Sequence, residues 1–476
     1  MLTFKLALRT LAKRKGRMAL IGALVAFGTL LLVLGGTFAA SAAEASRSSI
    51  IDNFTGDFIV YSAKSKELPS PFAFTTPLPV VPDPERVAQA LDGIDGVVAY
   101  AFYAQNYGLI QVEREGKKLD LPFIFYAVEP GPYRSVFSNV EVKEGSYFGL
   151  GENAAAAGSS VAGDSLPGVL ISRFQNEQYR KNYGVELRAG EAVTLLGITE
   201  GGVNTTRSSL SGIFEPRRYK SVFDYINFMD SETYAELYNY SGVAALPDAF
   251  NAGLVAAAED EDALFALALD ADFGKLDLSS LEAEALSGYT MVAVKLADHS
   301  KADQAMAALE SMSELGVKTA GWQAASGFYA QISLALQGFI FLATGLIFLV
   351  VTMIFMNTLI INVVERTAEI GTMRAIGADR SFVRGVFLAE ALILNVSSAV
   401  AAMILSAVPI ALGTKGIPLP ETISQFLIGG GPLAIKPGVG PFAVALAAVV
   451  AVSVLATVYP VRVATSITPL KAMSER

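Results

Sequence analysis

The sequence predicts a membrane protein with four transmembrane α-helices and a large α+β extracytoplasmic domain inserted between helices 1 and 2. Mean hydropathy is +0.45 and only 17% of residues are charged, a balance that suits a membrane chain better than a large soluble enzyme. Four runs lack Asp, Glu, Lys and Arg altogether, at 18–43, 332–364, 391–414 and 437–461, with lengths of 26, 33, 24 and 25 residues. About 20 residues cross hydrocarbon as a helix, whereas buried helices of soluble cores seldom exceed about 14 residues without a charge. The segment between the first two runs alternates strand-like and helix-like patterns, as a folded domain does.

Residues 1–17 read as a cytoplasmic amphipathic basic helix, with Leu2, Leu6 and Leu11 near one face and Lys5, Arg9, Lys13, Arg14, Lys15 and Arg17 around the others. With no acid among them, they set the N-terminus in the cytoplasm by the positive-inside rule, and four crossings return the C-terminus there. Residues 18–55 form helix 1 and a stalk. The apolar run is longer than the roughly 7–15 residues of a signal-peptide core, so an uncleaved anchor is preferred, although FAASAAEAS holds cleavage-like triplets.

Residues 56–326 form the extracytoplasmic domain. Gly56 precedes a strand over 57–61; Pro82 and Asp83 open a helix carrying Val87, Ala88 and Leu91, and Gly96 precedes a strand over 97–102. The stretch GVLISRFQNEQYRKNYGVELRAGEAVTLLG reads as a helix followed by strands, and 209–214 with 221–229 adds strand and turn material. A strand over 291–296, a helix over 301–315, Gly316 and a short strand toward Trp322 complete it. Within it, about 241–287 is an acidic helical insertion. Asp270 and Asp272 have the spacing of a calcium loop's start, but Lys275 and Leu281 stand where such a loop needs Gly and Glu, so these acids read as a solvated face.

The remaining segments are 327–364, stalk and helix 2; 365–380, a cytoplasmic connector; 381–414, helix 3; 415–436, an external loop whose prolines and glycines read as turns; 437–462, helix 4; and 463–476, a cytoplasmic tail. Small residues such as Gly22, Ala26 and Gly28, and the Ala-rich run 443–456, let membrane helices approach closely.

Several chemistries are excluded. There is no cysteine, so neither disulfides nor thiolate metal sites exist. His299, the one histidine, sits beside Asp298 and reads as solvated; no histidine-clustered zinc site is available. The sequence contains neither G-x-x-x-x-G-K-[ST] nor G-x-G-x-x-G. A net charge of −9 argues against nucleic acid as a partner. The spans hold almost no ionisable group, with Arg384 and Glu390 only near the cytoplasmic entry of the third, and proton-coupled transport normally leaves carboxylates or His at membrane depth, which points to an external energy source.

The most informative stretch is NTLIINVVERTAEIGTMRAIGADRSFVRGVFLAEA, residues 357–391, a charged, Gly-punctuated connector between two membrane-length runs. Glu365, Arg366, Glu369 and Arg374 accompany Ile370, Met373 and Ile376 on a helix-forming stretch, the pattern of an amphipathic helix lying across two span ends.

These residues resemble the signature of the FtsX-like permeases, the MacB/LolC/LolE group of ABC transporter membrane subunits. The matching positions are Asn357, Val363, Glu365, Arg366, Thr367, Glu369, Ile370, Gly371, Arg374, Ala375, Gly377, Ala378, Leu388, Glu390 and Ala391. The chain's end is similar to the family's at Tyr459, Pro460, Ala464, Pro469 and Ala472, and departs from it at Val461, Lys471 and Met473. The stretches GDFIVY, ELRAGEAVTLLG and SGIFEP are similar to the family's MacB-like periplasmic core domain; the acidic insertion has no counterpart there.

The resemblance implies an inner-membrane, multi-pass, non-catalytic subunit. Its connector would dock on a separate ABC ATPase through Glu365, Arg366, Glu369, Ile370, Gly371, Arg374, Ala375, Gly377 and Ala378. No cofactor belongs to this chain; ATP and Mg act through the partner. The other implied partners are a second copy or a homologous permease, a lipoprotein or extracytoplasmic accessory protein, and the lipid bilayer. The implied work is mechanotransmission to the outer domain, for lipoprotein release or efflux of an amphiphile. The alternatives are an FtsX-like activator of a cell-wall hydrolase and a membrane-anchored ligand sensor, which would not require the connector motif.

Overall fold

The computed structural model describes residues 15–69, 78–114, 116–148, 168–199, 202–243, 283–285 and 288–466. The expected basic helix at 1–17 and tail at 463–476 therefore lie largely outside the described residues. So does the acidic insertion, apart from a short antiparallel pair, β9 (Ser241–Val243) with β10 (Ala283–Ala285). The chain divides into two units, Met1–Arg47 with Gln331–Arg476, and Ser48–Ala330.

In chain order, α1 (Lys15–Ile50) runs into a π-helical turn, Ile51–Thr55, and then into β1 (Phe58–Ser62). There follow α2 (Pro84–Asp92), β2 (Val97–Arg114), β3 (Lys117–Val128), α3 (Pro130–Val136), β4 (Val140–Gly145), β5 (Gly168–Ser172) and α4 (Arg173–Tyr183). Next come β6 (Ala192–Thr199), β7 (Gly202–Pro216), β8 (Asn227–Asp230) and α5 (Ser231–Leu237), then, beyond β9 and β10, β11 (Met291–Leu296), α6 (Ala302–Ser311) and β12 (Val317–Gly321). The second half holds α7 (Phe328–Glu365), α8 (Thr367–Ala375), α9 (Arg380–Gly413), α10 (Glu421–Ile428) and α11 (Val439–Ser466).

In the unit Ser48–Ala330 the strands run in the order β12-β1-β11-β2-β3-β8-β5-β7-β4, and β6 pairs with both β2 and β7. The ladder therefore closes through β2, β3, β8, β5, β7 and β6 back to β2. The long β2 makes this possible: one edge pairs β11 through Val97–Tyr103 and then β6 through Gly108–Gln111. Gly108 stands where the partner changes, and a Cβ there would lie 2.6 Å from the Leu196 carbonyl oxygen, so the strands could not approach with a side chain between them.

Burial follows the two-residue strand period. Ile110, Val112, Leu121, Phe123, Val193, Leu195 and Leu210 join Tyr179 of α4 and Leu237 of α5 in one core within the closed ladder. On the open part of the sheet, Phe58, Val60, Val292 and Val294 pack against Val87 and Leu91 of α2 and Ala305 and Leu309 of α6. α2 starts where Pro at its first position and the Asp83 side chain, accepting from the Arg86 N–H at 3.1 Å, satisfy its exposed end.

Three details differ from expectation, two in this unit and one in the other. The helix expected over 301–315 stops at Ser311 and continues as a 3₁₀ turn, Ser313–Leu315, ended by Gly316 at φ +62°. His299 is not simply solvated: its Nδ1 lies 2.6 Å from Oδ1 of Asp57, which is 1% exposed and also accepts from the Leu296 N–H at 2.8 Å. The loop 415–436 is more than turns, because its Thr-Ile-Ser-Gln-Phe-Leu segment forms α10, closed by Gly429 in the left-handed region.

In the other unit, α1, α7, α9 and α11 are, among the described residues, the four helices long and apolar enough to cross a membrane. They coincide with the four uncharged runs. Met18 and Ile21 of α1, Leu359 of α7, Ala391 of α9 and Ala456 of α11 share one buried cluster. Close approach depends on small residues: a Cβ at Gly22 would come 2.9 Å from the Ser398 hydroxyl. Between α9 and α11 the buried Asn395 amide donates to Ser453 Oγ at 2.7 Å, a polar tie between two spans.

Candidate functional site: the connector between two membrane helices

The connector folds as a short helix between two sharp breaks. α7 ends at Glu365, and Arg366 leaves helical geometry at φ −104°, ψ 13° before α8 begins at Thr367. Ile370 N–H donates to the Arg366 carbonyl at 3.0 Å, starting the new helix. At the other end the Ala378 N–H returns to the Met373 carbonyl at 3.0 Å while Gly377 sits at φ +105°. A residue with a Cβ is strained there, so glycine is required for a stop this tight. Asp379 then caps α9, accepting from the Phe382 N–H at 2.8 Å. That bond, then the Ser381 hydroxyl, hold its carboxyl below the usual carboxylate range.

The inner face of α8 is anchored by packing. Ile370, fully buried, forms a cluster with Val363 of α7 and Val383 and Phe387 of α9, with Met373 against it. The anchor also contains an ion pair. Arg366 Nη1 donates to both carboxylate oxygens of Glu390, at 2.9 and 2.8 Å, and the two side chains are only 5% and 4% exposed. The guanidinium carbon lies 5.3 Å from the Phe387 ring centroid, within cation–π range. A buried pair of this kind is costly to break, since the remaining charge would stay desolvated.

The expected docking residues therefore separate into different roles. Arg366 and Ile370 face inward and hold the connector. Glu365 is the exposed last residue of α7, Glu369 lies on α8, Gly371 is buried, Arg374 is half-buried in the last turn, and Ala375 ends the helix exposed. Gly377 and Ala378 make the stop. The single amphipathic rod expected over the whole stretch is shorter, nine residues, because Arg366 is drawn toward Glu390 and the chain breaks there. Ile376 does not share the face of Ile370 and Met373, because six residues carry it about 120° round the helix from Ile370. The helix ends at Ala375, and Ile376 is 83% exposed.

Glu390 is the residue that sequence reasoning left without a role, although it belongs to the same motif. Among the described residues no cluster of three or more His, Asp or Glu could hold a metal ion.

No curated protein matches the sequence. Among solved structures, the extracellular domain of the noncanonic ABC-type transporter YknZ from Gram-positive bacteria is similar at 12% identity, covering 56% of this chain and 99% of that one, with a TM-score of 0.28. A score that low carries no argument about the fold. The family described as FtsX-like permease C-terminal matches residues 341–469. That range contains most of α7, the whole connector with its Arg366–Glu390 tie, α9, α10 and all of α11, so this part of the chain is similar to the FtsX-like permease C-terminal family.

Proposed function

We propose that this chain is the membrane subunit of an ABC transporter, moved by a separate ATPase that docks on the connector, and that it relays this motion along α1 and α7 to the unit Ser48–Ala330 outside the membrane. The work done there is release of a lipoprotein or expulsion of an amphiphilic compound. The observation that carries the reading is the construction of the connector. Its inner face is fixed to α9 by Ile370 and the Arg366–Glu390 pair, so a force applied to α8 moves the spans instead of bending a loop. Its outer end presents Ile376, an apolar side chain 83% exposed, as a contact for a partner's groove.

Orientation follows from charge. Arg366, Arg374, Arg380 and Arg384 gather at the connector, the side that the positive-inside rule assigns to the cytoplasm. The spans lack ionisable groups in their middles, which fits an engine elsewhere.

The test is copurification of a P-loop ATPase with the full chain and measurement of its stimulation. Ile376→Asp should leave the chain inserted and folded yet lower stimulation at least tenfold, and Glu369→Lys and Gly371→Pro should abolish it. Wild-type stimulation in all three variants would defeat the docking role. Mass spectrometry of the same material identifies the cargo and separates a transporter from a hydrolase activator or a sensor.

A further inference from the structure

At the connector end of the spans, α9 and α11 leave a cleft of about 350 Å³ lined by Arg384, Leu388, Val454, Thr457, Val458 and Arg462. The positions repeat every four residues on both helices: Arg384 then Leu388 going into α9, and Val454 then Val458 then Arg462 coming out of α11. Because α9 starts at this end and α11 finishes at it, both arginines stand at the mouth and the apolar side chains stand deeper. The Thr457 hydroxyl, in a residue 3% exposed, already donates a hydrogen bond to the Ser453 carbonyl at 2.6 Å, so it contributes wall. Among the described residues Arg384 makes no ion pair, and its side chain is exposed.

We propose that this cleft binds an anionic phospholipid, its phosphate between the guanidinium groups of Arg384 and Arg462 and one acyl chain along Leu388, Val454 and Val458. Planar guanidinium groups match phosphate oxygens with paired donors, and an apolar wall below them excludes a purely water-borne anion as the best fit. Basic pockets between membrane helices are a known way of holding acidic headgroups, and 350 Å³ suits a headgroup with the start of a chain. Val454 and Val458, 42% and 46% exposed, are uncovered by protein and face the space the chain would fill. The inference rests on the membrane placement of these helices and not on the coupling role, so lipid retention and ATPase stimulation can fail separately.

The experiment uses the delipidated full chain in detergent, loaded with phosphatidylglycerol or with phosphatidylcholine of the same acyl chains, and reads retained lipid by native mass spectrometry. Wild type should retain phosphatidylglycerol in preference to phosphatidylcholine. Arg384→Gln and Arg462→Gln should each weaken retention about fivefold, the effect of one basic residue at a lipid headgroup. Val458→Trp, which fills the cleft and keeps both arginines, should abolish it, while Lys436→Gln at the opposite end should bind as wild type does. Equal retention of the two lipids, or arginine variants that bind as wild type, would overturn the proposal. Displacement by millimolar inorganic phosphate, with Val458→Trp still binding that phosphate, would overturn the lipid assignment in favour of a free anion.

Discussion

Replacing Glu390 by Leu tests how firmly the connector is held. The substitution removes the acceptor of two hydrogen bonds, 2.9 and 2.8 Å long, and leaves the Arg366 guanidinium, 5% exposed, beside the Phe387 ring with no carboxylate of Glu390 to neutralise it. Breaking a buried ion pair on one side costs about 3–5 kcal/mol, because the surviving charge stays desolvated. At 1.4 kcal/mol per decade, the lower figure raises the population of released connector roughly 100-fold. Hydrogen exchange of the full chain reads this directly. Amides of Ile370, Ile376 and Ala378, which donate to carbonyls within the connector, should exchange about 100-fold faster, while peptides from Ser48–Ala330 keep their rates. Arg366→Met combined with Glu390→Leu replaces the pair by apolar side chains and should recover most of the protection, since such replacements are often neutral. Unchanged exchange in Glu390→Leu, or a double variant as fast as the single one, would refute the anchoring argument.

Two further outcomes concern the unit Ser48–Ala330. At Gly56, φ is +70° and a Cβ would lie 2.5 Å from the backbone oxygen of Val294, so Gly56→Ala must displace β11 or unpair β1; we expect a loss of about 2 kcal/mol or more and a melting transition lowered by about 3 °C or more, and an unchanged melt would show that the junction is loose. Burial pushes the Asp224 carboxyl up from 3.8 to about 6 against a partial pull downward from Lys220, so its contribution to stability is complete below about pH 4 and is lost as pH rises through 6. That difference would be worth about 3 kcal/mol for a fully buried group and, discounted for its half-exposed setting, about 1 kcal/mol. Asp224→Asn should gain on wild type by that amount between pH 4 and 7, and parallel pH profiles would discard the assignment.

The legible part of this protein was whatever depends on local pattern. Uncharged runs longer than about 20 residues have one stable setting, so 18–43, 332–364, 391–414 and 437–461 mark the four apolar helices without any knowledge of their packing. Asp83, read with Pro82 as a helix start, caps α2, and Gly377 before Asp379 marks a helix stop, because these backbone requirements are satisfied within a few residues. The connector, too, stood out as a motif. Pairing across long separations was not legible: neither the return of β6 to β2 nor the 2.6 Å contact of His299 with Asp57 leaves a local trace.

The chain alone therefore determined that four helices suit a bilayer, that a folded insert separates the first two, and that a charged connector joins the second to the third. Tertiary structure decided which connector residues are structural and which are presented. Arg366 and Glu390 are 24 positions apart and become one buried unit only when α8 folds back on α9, while Ile376, the same residue type as Ile370, is left in the open just past the end of α8, on a different side from Ile370. The physical reason is that burial and charge pairing belong to packed surfaces, which no single stretch of chain contains.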